Sequence, residues 1–272
     1  MRNYKLVITV FLMLLSLYSM SQIPDSTKIQ NNTDSIRTKL SQSDSLKGII
    51  RDKSYRFTYK KLIIPASLIT YGVLTLTSDA LEQLNFSTKT EVNEHLPKPS
   101  TLDNFTQFLP AAMVYGLNLV SIEGKHNLRD RSIILGTSLA ITTAIVTPVK
   151  HLVKEERPDQ SNNLSFPSGH TAIAFATAHF LFREYKDTNF WIAISGYPIA
   201  AFTGIYRMVN NKHWLGDIMA GAGVGILSTE LAYWLFPTIS SWLQPKNQKN
   251  SVTSLYPFYQ EKAFGIGLYK SF

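Results

Sequence analysis

The chain has no cysteine, which removes disulfides, thiolate metal sites and cysteine nucleophiles from consideration but leaves the compartment open. It is also short of acid. Against 27 Lys and Arg stand 19 Asp and Glu, a formal charge of +8 over 272 residues. Such an excess suits nucleic acid, an anionic membrane surface or an anionic substrate. Nucleic acid fits least well, because the basic residues are scattered at the ends of apolar runs and no nucleic-acid-binding motif is present. No carboxylate cluster suited to magnesium lies beside the cations. The internal apolar runs are not strongly apolar either: Thr137, Thr142, Thr143 and Thr147 dilute one, and Glu230 interrupts another.

The length suits one sizeable domain or two small ones. Residues 1–21 carry Arg2 and Lys5, an apolar run from Leu6 to Leu17, and then Ser19-Met20-Ser21. This predicts a secretory signal peptide cut after Ser21, with an uncleaved anchor as the alternative. Residues 22–58 are rich in Ser, Asn, Gln, Thr, Asp and Lys and read as a polar linker. From Leu62 the runs have helical length: Leu62–Ser78, Asn104–Ile122, Ile133–Val149, Thr171–Phe182, Phe190–Tyr206 and Ile218–Trp242. The pattern predicts an all-α fold, a bundle of about six mostly membrane-spanning helices with the active site at one end. A soluble bundle with fully buried central helices is the rival. Residues 242–272 form a tail in which one short strand pair fits, and a single pair cannot build a membrane barrel.

Orientation carries a conflict. Arg51, Lys53, Arg56, Lys60 and Lys61 precede the first run, so the positive-inside rule sends that run outward and leaves residues 150–170 on the outer, periplasmic side. A cleaved leader followed by six spans would put them on the cytoplasmic side. The outward-facing site is the expectation adopted here, with the protein in the cell envelope.

Nearly all residues able to do chemistry fall between Lys150 and Asp217. Lys150 and Arg157 are seven apart, and Pro158 disfavours helical backbone at Arg157, so the helix is expected to end there and offer the guanidinium from a loop. Arginine suits two-pronged capture of phosphate oxygens, and lysine adds a movable charge. By itself Lys150 reads as a membrane-edge lysine. In Pro167-Ser168-Gly169-His170, Ser168 fits an N-cap, Gly169 lets an anion approach free amides at a helix start, and His170 stands close enough to give a proton. His213 and Asp217 are four apart, on one face of a helix beginning near Trp214, where the carboxylate would fix the imidazole tautomer and leave its other nitrogen free to attack. Asn210 and Asn211 are placed to turn the chain so that Arg207 faces the same spot. Fixed positive charge, a nucleophile and a proton donor are what holding a phosphate and attacking its phosphorus require.

Together the segments resemble the type 2 phosphatidic acid phosphatase family, which also includes bacterial acid phosphatases and vanadium haloperoxidases. The family pattern is Lys-x6-Arg-Pro, then Pro-Ser-Gly-His, then Ser-Arg-x5-His-x3-Asp. This chain matches it with Lys150 to Pro158, Pro167 to His170, and Arg207, His213 and Asp217. The resemblance implies a helical phosphatase domain over 59–241 that hydrolyses a phosphate monoester or pyrophosphate of a lipid without a cofactor or metal. It implies His213 as the nucleophile that becomes phosphohistidine, Asp217 as its orienting partner and His170 as the general acid. Lys150, Arg157, Ser168, Gly169 and Arg207 would bind the phosphate. The family serine before the third-motif arginine is Tyr206 here, which puts one phosphate contact in question. His95, His126, His151 and His179 fall outside the motifs. Expected partners are a phosphorylated lipid and the membrane, not nucleic acid. A vanadium haloperoxidase and a non-catalytic phosphate-binding membrane protein remain alternatives, separated by assays for halide oxidation and phosphate release.

Overall fold

A computed structural model describes residues 58–95, 100–243, 253–260 and 263–270. The expected signal peptide, and the polar linker up to its last residue, lie outside these residues. The chain enters through a 3-10 turn, Tyr59–Leu62, followed by α1 (Ile63–Leu74), α2 (Asp79–His95), α3 (Asp103–Thr106), α4 (Leu109–Leu119) and α5 (Leu128–Val153). Then come α6 (Gly169–Tyr185), α7 (Phe190–Ile194), α8 (Gly196–Val209) and α9 (Leu215–Trp242). Described residues up to Phe236 form one compact unit, and those from Pro237 onward form a second. The second unit contains β1 (Thr253–Gln260) and β2 (Ala263–Lys270), an antiparallel pair running from Thr253 opposite Lys270 to Gln260 opposite Ala263.

Short polar side chains cap three helix starts, those of α5, α6 and α7. Asn127 Oδ1 accepts the Asp130 amide at 2.9 Å to open α5, and Asn189 Oδ1 accepts the Trp191 and Ile192 amides to open α7. Pro110 stands in the first turn of α4, where its missing N–H costs nothing. The sequence expectation places the end of α5 at Pro158, but the helix stops at Val153, because Lys154 takes the left-handed conformation at φ 52°. A left-handed residue ends a helix on its own terms. Residues 79–103, which lie between the first two apolar runs, also contain a helix, the 17-residue α2.

The bundle centres on α6. Ala172, Ala174, Ala176 and Ala178 are all fully buried, and such small side chains let neighbours pack closely on every face. On α9, Gly225 is required by the same closeness: an added Cβ would lie 2.2 Å from Ala172 O. Away from the motif segments, larger side chains fill the core, with Val114, Ile134, Phe180, Leu181, Tyr185 and Tyr233 in one cluster. Nearer the motifs the core is smaller, with Ile69, Val146, Ala172 and Val224 in one cluster and Val153, Phe166 and Ala220 in another.

By length and composition, two described helices can cross a membrane, Leu128–Val153 and Leu215–Trp242. The pair Tyr59–Leu74 and Asp79–Val92, bent by 93°, would make a third span if counted as one. The remaining apolar runs form helices of 17 residues or fewer. The apolar window of α5 is 22% buried against 72% for α9. An apolar face left that open is one a hydrocarbon environment covers and water does not, which favours the membrane-embedded bundle over the soluble one.

Candidate active site

The three motif segments meet at one end of the bundle. On α9, Asp217 occupies the third helical position, and its Oδ2 accepts the Trp214 amide at 2.9 Å. This is the reach-back bond with which an acidic third residue closes a helix start. The same oxygen accepts Ser165 Oγ at 2.5 Å and lies 3.3 Å from His213 Nδ1. Because a carboxylate accepts, Nδ1 carries the proton, and Nε2 is the nitrogen with its lone pair free. Burial drives the His213 pKa down to about 4 against the upward pull of Asp217, with Lys150 and Arg207 adding to the fall. At neutral pH His213 is therefore an uncharged base.

Ser168 caps α6 as the spacing predicts: its Oγ accepts the Thr171 amide at 3.5 Å and sits 2.9 Å from Thr171 Oγ1. The Ser168 amide donates to Asp217 O at 3.0 Å, which ties the second motif to the third. The amides of Gly169 and His170 belong to the first helical turn, which has no carbonyls of its own to bond. A methyl group on Gly169 would lie 3.9 Å from Lys150 Cε, so the open space above these amides is next to the lysine. The Lys150 ammonium donates to Leu164 O at 2.7 Å and Ser165 O at 3.0 Å.

Arg157 leaves the loop with its amide on Asn162 O. Arg207 stands in the last turn of α8, where Asn211, at φ 53°, reverses the chain and the Lys212 amide returns to Arg207 O. Arg207 pairs with the buried carboxylate of Asp103. The buried Nε atoms of both arginines have no hydrogen-bond partner among the described residues. His170 is half-buried, and its pKa is lowered to about 4 by burial and then by the charge of Arg207, with Lys150 and Arg157 acting in the same direction and Asp103 against them. All three cations thus lie within electrostatic reach of His170. Among the described residues no group of three His, Asp or Glu is arranged to hold a metal ion.

Beside this cluster is a cavity of about 390 Å³, lined by Ser100, Thr101, Asp103, Asn104, Arg207, Asn210 and Lys212. All seven lining residues carry polar or charged side chains, although most of the surface they turn to the cavity is apolar. Helix α2 buttresses the loops from outside: Asn85 Oδ1 accepts the Gly216 amide, Lys89 donates to Pro158 O, and Phe86 meets Trp214 edge-on at 5.0 Å. Lys212 and Asp159 join the first and third motif loops at 2.5 Å. Burial raises the Asp159 pKa, but the bonds from Lys212 and Ser161 outweigh it and bring it to about 2.

The other sequence candidates lie elsewhere. Tyr206 is buried with its ring 4.9 Å from Phe202. His126 bonds Glu184, His179 bonds Glu230 and Tyr197, and His151 bonds Thr147 O on its own helix; the side chain of His95 lies outside the described residues. Sequence reasoning missed Asp103, Asn104 and Ser165. The one signal for the first two was a carboxylate and an amide at the head of an apolar run, 46 or more residues from the nearest motif.

Residues 131–241 match the PAP2 superfamily. The chain is 31% identical over 200 residues to a lipid A 1-phosphatase of Porphyromonas gingivalis, an alignment covering 71% of this chain and 43% of that protein. It is 34% identical over 77 residues to the bacitracin transport permease protein BcrC of Bacillus licheniformis, covering 28% and 36%. The chain therefore spans less than half the length of each of these two relatives. Among solved structures, Aquifex aeolicus LpxE is similar at 21% identity and TM-score 0.43, over 55% of this chain and 94% of that one. The PAP2 type phosphatidylglycerolphosphate phosphatase of Bacillus subtilis is similar at 19% identity and TM-score 0.45, over 70% and 100%.

Proposed function

We propose that this chain, whose residues 131–241 match the PAP2 superfamily, is a phosphatase that removes a phosphate from a lipid headgroup through a phosphohistidine. The observation that carries this reading is the pair of buried guanidinium nitrogens without partners, Arg157 Nε and Arg207 Nε, in the same cluster as an uncharged, carboxylate-backed His213. Buried donors without acceptors are costly, and phosphate oxygens are the acceptors they fit.

His213 Nε2 attacks phosphorus while its Nδ1–H stays on Asp217. Lys150, Arg157, Arg207, the Ser168 hydroxyl and the Gly169 and His170 amides hold the three equatorial oxygens. As the bond to the leaving oxygen breaks, His170 gives that oxygen a proton, which it acquires when the phosphate dianion offsets the neighbouring cations. Water then attacks the phosphohistidine, His170 takes the water's proton, and inorganic phosphate leaves with His213 neutral again. Every charge the transition state needs is supplied by side chains, so no metal takes part in the proposal. The hydroxyl, amide and charged side chains around the cavity beside Arg207 offer hydrogen-bond partners to a hydroxylated leaving group such as a sugar. The printed activity of the Porphyromonas gingivalis relative, on lipid A, agrees with that choice.

Purified protein in detergent, with a chelator present, is expected to release phosphate from lipid A, to do so poorly from prenyl pyrophosphates, and to be blocked by vanadate. Activity that vanishes in chelator and returns with a divalent metal would overturn the metal-free mechanism. The proposed periplasmic orientation rests on Lys60 and Lys61, which begin the bundle at the end where Lys61 approaches Glu230, remote from the motifs. The lack of cysteine allows a clean test: a single Ser161→Cys should react with a membrane-impermeant maleimide in spheroplasts. Labelling only after lysis would reverse the orientation.

A further inference from the structure

Asp103 and Asn104 open the one-turn helix α3 and belong to none of the three motifs. The Asp103 carboxylate pairs with Arg207 and also accepts Asn210 Nδ2 at 3.2 Å. One residue on, Asn104 Oδ1 lies 2.9 Å from His170 Nε2. An amide oxygen only accepts, so Nε2 carries the proton. Nδ1, with no partner among the described residues, is the nitrogen left open. The segment is held in register from the other side by Asn210, which bonds the Ser100 amide at 3.1 Å and its carbonyl at 2.9 Å. Two consecutive side chains thus fix an arginine and a histidine that come from separate motifs.

We propose that Asn104 is the positioning residue of the general acid: it holds the His170 ring and tautomer so that Nδ1 faces the leaving oxygen, and it keeps accepting Nε2–H once Nδ1 is protonated. This rests on the phosphatase reading above. An amide supplies direction without charge. The charged groups around His170 are Arg207 on α8, Lys150 on α5, Arg157 on its loop and Asp103 on α3, and with a neutral partner the ring's protonation follows the bound phosphate. A carboxylate at the same position would keep the ring charged before substrate arrives.

The test uses the full chain in detergent micelles, with Asn104→Ala and Asn104→Asp assayed on an alkyl phosphate and on a nitrophenyl phosphate. In parallel, the His170 ring nitrogens are followed by NMR as pH is varied. Asn104→Ala should lower kcat on the alkyl ester about 10- to 100-fold, leave the nitrophenyl ester within about threefold, and leave KM nearly unchanged, because only the poor leaving group needs the proton. Asn104→Asp, which preserves shape, should move the His170 titration to higher pH. Equal losses on both esters, or a His170 tautomer and titration unmoved by either variant, would overturn the proposal while leaving the phosphatase reading intact. Wild-type protein that releases phosphate from neither ester nor from lipid A would overturn both.

Discussion

Both ends of the helical unit bury charge, and the two differ in what the charge faces. Away from the motifs, Glu230 accepts Arg183 at 2.9 and 3.0 Å and lies 2.7 Å from His179. Beside it, Glu184 bonds His126 at 2.7 Å and Tyr233 at 2.6 Å. There each carboxylate is met by side chains from elsewhere in the bundle, Glu230 by Arg183 and His179, Glu184 by His126 and Tyr233. At the motif end Lys150 is held by two carbonyls, Arg207 by one carboxylate, and Asp217 is committed to His213. There Arg157 Nε and Arg207 Nε are buried without a hydrogen-bond partner among the described residues. Helices α6 and α9 run through both clusters: His170 and His179 share one, Asp217 and Glu230 the other, and thirteen residues put about 20 Å between the latter pair. The comparison teaches that buried ions do two jobs in one bundle. Matched pairs specify how helices seat, whereas buried guanidinium nitrogens without acceptors mark a candidate anion site.

The sharpest break of this comparison comes from the proposed nucleophile. His213→Ala should lower turnover by about 10⁴-fold or more and abolish phosphoenzyme trapping, because no other group in the cage replaces it. His126→Ala, made as the counterpart in the matched cluster, should still trap it. A phosphoenzyme surviving in His213→Ala would assign the attack elsewhere. Next, His170→Ala is expected to slow an alkyl phosphate by about 10²- to 10⁴-fold and a nitrophenyl phosphate much less; equal slowing would remove the general acid role.

In the matched cluster the expected loss is of stability. Glu230→Ala removes the buried carboxylate that Arg183 and His179 bond and should cost about 3–5 kcal/mol, read as a lower unfolding midpoint in detergent, while the protein that remains folded keeps its turnover. A Glu230 variant that is fully stable but inactive would show the two ends to be functionally coupled. The last prediction is a pH dependence of anion binding. A bound dianion should raise the His170 and His213 pKa values above the values near 4 they have without it. Groups whose pKa rises on binding strengthen binding at low pH, and that gain is lost as pH rises through the raised pKa. Sulfate, dianionic throughout, should therefore bind more tightly as pH falls from 8 to 5, by up to about tenfold per unit for each proton taken up. Calorimetry showing a flat profile would mean the anion does not face these histidines.

The parts of the site legible in the sequence are those fixed by local geometry. A serine before an apolar helix caps it, four residues bring His213 and Asp217 to one face, and paired asparagines turn the chain after Arg207, all within a few residues' reach. The helical frame was legible for the same reason, as was the possibility of a strand pair in the tail. The end of α5 was not, since Pro158 offered an obvious stop and the left-handed turn at Lys154 has no comparable signature in a lysine. Helix α2 reads as a connection between apolar runs because its apolar residues are few and find partners far along the chain, as Phe86 does in Trp214. Asp103 and Asn104 contact Arg207 and His170 across 104 and 66 residues, and no spacing rule links positions so far apart. Which of the buried ions would be matched and which left open was likewise decided by packing, because a charge in the sequence acquires its partner only when helices distant along the chain are brought side by side.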